Sequence, residues 1–108
     1  MVSNPRWLDV VTHRIRGVRA PFLLVLQHHD IPAATRLVAP LWRPQGDAGV
    51  VSPRLVVDGS EYRVRLLDTS PVSTAQLGET VASALSDRDD ITDAIDRLLF
   101  GYPVGRLH

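Results

Sequence analysis

The spacing of apolar and polar positions predicts several short strands followed by one helix. The sharpest two-residue period places Tyr62, Val64 and Leu66 on one face and Glu61, Arg63 and Arg65 on the other. Asp58-Gly59, just before it, is a strong turn signal because glycine reaches positive φ without steric cost. Leu55-Val56-Val57 then supplies a partner of β-branched character, so residues 54–67 read as a half-buried antiparallel hairpin. Residues 22–26 are continuously apolar and of strand length, which suits a strand covered on both faces. Residues 7–11 read as a first strand and the arginine-rich residues 13–19 as a loop. Residues 28–32 form a loop at Pro32, residues 36–39 a short strand stopping at Pro40, and residues 44–49 a surface loop. Residues 72–77 make a weaker strand that Gly78 breaks.

The period changes to that of a helix over residues 87–100. Ile91, Ala94, Ile95 and Leu98 follow the i, i+3, i+4, i+7 stripe of a core-facing helix. Ser86 suits the N-cap with Asp89 three residues on, and Asp87, Asp89 and Asp90 complement the positive end of the dipole. Gly101 suits the C-terminal stop, and Pro103 forbids continuation. Bulky apolar groups nevertheless run on past the stripe as Leu98-Leu99-Phe100-Gly101-Tyr102. Such a helix end is either core packing or an exposed recognition patch, for which aromatics make good anchors.

The 108 residues make one domain spanning 1–108, with no room for a second core. At 44% hydrophobic and 22% charged residues the composition is that of a globular chain. The absence of cysteine excludes disulfide and thiolate chemistry and fits a reducing cytoplasm. No signal-peptide pattern opens the chain, and the longest apolar run is too short to cross a bilayer, so a cytoplasmic, membrane-free protein is expected. All twelve basic side chains are arginine, and twelve acids cancel them, leaving no global field to attract nucleic acid.

Candidate chemistry is sparse. The His28-His29 pair invites a metal or acid/base reading, but neighbours on an extended segment point opposite ways, so a solvated loop is expected and no metal. The glycines match no phosphate-cradling motif, and no serine stands in a nucleophile elbow. No catalytic residue and no cofactor are assigned.

From Phe22 onward the chain resembles the CcdB family of toxins. Arg36-Leu37-Val38-Ala39-Pro40-Leu41 is similar to that family's strand end, and Val56-Val57-Asp58-Gly59 with Tyr62 to its central hairpin. Leu77-Gly78-Glu79-Thr80-Val81 is similar to its Ile-Gly-Glu-Glu-Val turn, and Asp90-Ile91-Thr92-Asp93-Ala94-Ile95-Asp96 to its helix. The resemblance covers roughly residues 20–102, collinear with short length differences. It implies a mainly β fold, an SH3-like barrel of antiparallel strands with a C-terminal α-helix, in a two-fold homodimer. It also implies a non-enzymatic toxin of a plasmid-maintaining toxin–antitoxin system. Such a toxin binds the A subunit of DNA gyrase, is neutralised by a CcdA-like antitoxin, and joins it in a complex with operator DNA.

Phe100, Gly101 and Tyr102 stand where the family carries its Trp-Gly-Ile gyrase contact, and Asp96 where it carries a helix asparagine also implicated in target contact. Two departures accompany this. The chain continues through residues 103–108, and the loop that assists target binding in the family, apolar there, reads His28-His29-Asp30 here. Two other functions compete. One is an mRNA-cleaving toxin of the related MazF branch, for which His28, His29, Asp30 and Arg36 are the compact acid/base and cationic set. The other is a non-toxic relative that binds antitoxin.

Overall fold

The computed structural model describes residues 4–44 and 52–101. The loop expected over 44–49 falls outside them from residue 45, as do Tyr102 and residues 103–108. Among the described residues, seven strands form one antiparallel sheet: β1 Asp9–His13, β2 Phe22–Val25, β3 Thr35–Trp42, β4 Arg54–Val57, β5 Ser60–Val64, β6 Ser70–Ser73 and β7 Leu77–Ser83. Their order is β4-β5-β3-β2-β1-β7, with β6 also paired to β3, and helix α1, Arg88–Phe100, follows. The result is the mainly β architecture expected: antiparallel strands curled into a half-barrel, with a C-terminal helix.

The local rules explain the hairpin. Asp58 and Gly59 take φ of 51° and 80°, the paired left-handed conformations of a type I′ turn, whose twist matches the strands it joins. Tyr62, Val64 and Leu66 are all buried, Tyr62 pairs with Leu55, and Leu55 and Val57 are buried on the neighbouring strand. Strand β2 is covered on both faces, as its unbroken apolar run requires. Leu24 enters the main core with Leu8, Val10, Leu41 and Ile91, while Leu23 and Val25 join Val11, Val38 and Leu77 in a second cluster on the opposite face. Helix α1 covers the main core with Ile91 and Ala94, and Ile95 packs against its edge.

Strand β1 also runs on to His13 and β5 ends at Val64, before a 3-10 turn Leu66–Asp68; four further differences from expectation each have a physical reason. Strand β1 begins at Asp9, because Trp7-Leu8 form a turn with Leu8 at φ 62°. That conformation costs a leucine about 1–2 kcal/mol. It is held by Leu8 N–H donating to the Val25 carbonyl and Ala84 N–H donating to the Leu8 carbonyl, both at 2.8 Å. Strand β3 does not stop at Pro40. It pairs with β6 through residue 38 and with β5 from residue 41, and Pro40 lies in the gap where the partner changes. The Pro40 carbonyl, which accepts from Arg65 N–H at 3.0 Å, points to that side, so the missing N–H falls where no ladder bond is due.

Nor does Gly78 break a strand. Residues 70–73 are β6, a 3-10 turn Thr74–Gln76 intervenes, and Gly78 lies inside β7. A Cβ there would collide with Thr12, whose Oγ1 accepts from Glu79 N–H at 2.9 Å; glycine lets β7 close on the irregular edge of β1. The fourth difference is at the helix start. A 3-10 turn Leu85–Asp87 precedes α1, Asp87 takes the N-cap position, and no side chain caps it, so the Ser86–Asp89 box does not form.

Candidate functional site

The end of α1 is built by a stripe that runs out. Ile91 and Ala94 are buried, Ile95 is half-buried, and Leu98, expected to face the core, is 37% exposed. Leu99 and Phe100 are 66% and 58% exposed. Phe100 lies roughly 200° round the helix from Leu98 at 100° per residue, which carries it off the core. Gly101 ends the helix in the left-handed conformation, φ 82°, and its N–H donates to the Arg97 carbonyl at 3.0 Å. Asp96, half-buried, precedes Phe100 by four residues and Leu99 by three, so it shares their side of the helix. The structure thus brings Asp96, Phe100 and Gly101 together at one apolar, acid-flanked tip. The fourth residue expected there, Tyr102, lies outside the described residues.

Leu67 is an exposed apolar residue that the sequence reading did not single out. It is 70% exposed on a 3-10 turn, Leu66–Asp68, that packs beside α1. Leu66 of the same turn is buried in the core. Its sequence signal is the doubled leucine that ends the alternation of β5.

The histidine loop is arranged differently from expectation. Residues 28–31 form a turn, with Ile31 N–H donating to the His28 carbonyl at 3.1 Å. The two imidazoles therefore do not point apart; they stack at 4.1 Å between centroids, and Trp7 lies 5.7 Å from the His28 ring. Ligand-capable atoms of His28, His29 and Asp30 lie within 4.8 Å of one another. A cation, however, would meet the Arg6 guanidinium, whose Nη2 is 2.9 Å from His29 Nε2. Arg36 is buried and turned onto its own loop, with Nη1 donating to the carbonyls of Ala33 and Thr35 at 2.8 and 3.1 Å. The guanidinium offered as the cation of a ribonuclease site is therefore engaged by backbone.

On the second face of the sheet, Ile15, Val18, Val38, Pro40, Trp42 and Val72 line an open groove of about 330 Å³. Arg19 and Asp68 lie on its lining as well. Among the described residues, no helix is long and apolar enough to cross a membrane.

Against models of protein families, residues 9–101 match the family described as CcdB protein. No curated protein matches the chain.

Proposed function

The chain belongs to the CcdB family, toxins of toxin–antitoxin systems, and on that premise we propose that it acts without catalysis, by binding the A subunit of DNA gyrase through the tip of α1. The observation that carries this reading is the exposure of Leu99 and Phe100, 66% and 58%, on a helix whose buried stripe ends at Ala94 and Ile95. Adjacent large apolar side chains left in water form a patch that a partner can cover favourably. Phe100 is the anchor, Leu99 widens the apolar contact, Asp96 supplies a carboxylate beside it, Gly101 ends the helix, and Tyr102 is next in sequence. An aromatic so placed suits a cation of the target, stacked over its ring.

The same reading includes a two-fold homodimer, a CcdA-like antitoxin that neutralises the toxin, operator binding by the toxin–antitoxin complex, and action in the cytoplasm. The test is a supercoiling assay with gyrase from the organism that carries the gene, run beside an RNA-cleavage assay. Inhibition of supercoiling with RNA left intact is expected. RNA cleavage lost in His28 and His29 variants would replace this reading with the ribonuclease, and antitoxin binding without either activity would replace it with the non-toxic relative.

A further inference from the structure

One imidazole in the loop between β2 and β3 faces two donors from the N-terminal turn. The backbone N–H of Trp7 lies 3.2 Å from His29 Nδ1, and Arg6 Nη2 lies 2.9 Å from His29 Nε2. A neutral imidazole has one lone pair to offer and a protonated one has none. In either neutral tautomer one of the two donors is therefore held by the ring. On protonation both contacts place donor against donor and neither survives.

An alternative partner stands ready inside the loop. The Asp30 carboxylate lies 3.9 Å from His29 Nε2 and 3.6 Å from His28 Nδ1, and it is 83% exposed, free to close on a charged ring. His28 Nδ1, when neutral, accepts instead from Asp30 N–H at 3.1 Å. The charged and titratable groups facing the pair are thus Arg6 from the N-terminal turn and Asp30 from the loop, with each histidine facing the other. Asp9 stands behind Arg6 and accepts from its backbone N–H at 2.8 Å and from the β7 residue Thr80 at 3.2 Å. The turn itself is anchored elsewhere, by the Leu8 bonds to Val25 and Ala84. Protonation consequently exchanges a partner on a fixed turn for a partner within the loop.

We propose that His29 is a pH-sensitive clamp: when neutral its Nδ1 accepts from the Trp7 N–H and ties the 27–34 loop to the N-terminal turn, and when protonated it lets the loop go. The loop carries Ile31, 54% exposed, so the clamp governs how an apolar side chain is presented. The inference stands on the loop alone and goes beyond the gyrase reading, so the fate of one does not decide the other.

The experiment measures amide protection factors by hydrogen exchange at about pH 8 and about pH 5.5, a range over which histidine is the side chain that ordinarily changes charge. In the wild type, protection of the Trp7 amide falls on the order of tenfold at the lower pH, the loss of one hydrogen bond to an uncharged acceptor. The Leu8 amide, bonded to Val25, keeps its protection. In His29→Gln, whose carbonyl accepts without titrating, Trp7 is equally protected at both pH values. In His29→Ala, Trp7 stays at the low level at both. Equal protection of wild-type Trp7 at the two pH values overturns the clamp, as does a fall that persists in His29→Gln, or a Leu8 amide that opens together with Trp7. Should His29→Ala lose the fold, seen as loss of Leu8 protection, the wild-type and glutamine proteins decide the matter by themselves.

Discussion

Phe100→Ala separates binding from folding, because the two consequences differ in size. Fully burying a phenylalanine stabilises a fold by about 1.5–3 kcal/mol. Phe100 is 58% exposed, so removing its covered two-fifths forfeits roughly 0.6–1.2 kcal/mol of that. No cavity term adds to this, since the side chain lies at a helix end in water rather than among core atoms. Alanine's better helix propensity returns about 0.5 kcal/mol. The net loss of stability is therefore under about 1 kcal/mol, read as the shift of a urea unfolding midpoint at constant slope. An aromatic anchor at the centre of an interface, by contrast, loses about 2 kcal/mol or more on truncation, roughly thirtyfold in Kd. Titration of the gyrase A fragment by calorimetry, beside the supercoiling assay, measures that loss. A destabilisation above about 2 kcal/mol would place the ring in the core, and full inhibition by the variant would remove Phe100 from the interface; either result refutes the reasoning.

Three further outcomes follow from the packing. Ile91, fully buried in the main core, loses about 2–5 kcal/mol as Ile91→Ala in the same urea titration, whereas Ile95→Ala falls at or below the low end because Ile95 is only partly covered. Gly78→Ala costs about 1–3 kcal/mol, since its methyl meets Thr12. Combining it with Thr12→Ala gives less than the sum of the two single losses, and strict additivity would mean the contact is not the cause. Sedimentation equilibrium at micromolar concentration should return twice the 11.9 kDa chain mass; a species of 11.9 kDa alone would remove the dimer.

How much could be read from the sequence depended on whether the deciding partner was near in the chain. The 54–67 hairpin was legible because its alternation and its Asp58-Gly59 turn are local properties, and the helix stop at Gly101 was legible for the same reason. The doubly covered β2 announced itself through an unbroken apolar run. Pro40 and Gly78 misled because their effects depend on distant strands: one sits where β3 changes partner, the other where Thr12 approaches from 66 positions away (78 − 12). Residue-type preference alone marks both as breakers. The exposed tip of α1 was visible as apolar residues continuing beyond the stripe, but the stripe's early fading at Leu98 was not, because nothing in the helix states where its covering sheet ends. The stacked histidines were missed because an extended backbone was assumed where the chain turns back from His28 to Ile31.

The position of β1 between β2 and β7 has a consequence for how the chain emerges from the ribosome. Val10 pairs with Leu24 on one side and with Ala82 on the other. The first partner is translated almost at once; the second follows 58 residues later (82 − 24), which at about 5–20 residues per second is a wait of roughly 3–12 s. Until then the side of β1 that β7 covers has no partner, and an unpaired strand edge is the geometry that invites pairing with another chain. Contacts of such long sequence separation also place folding toward the slow end for domains of this size. A ribosome that stalls after β3 and before β5 therefore holds two strands without their outer partners, β1 awaiting β7 and β3 awaiting β5 and β6.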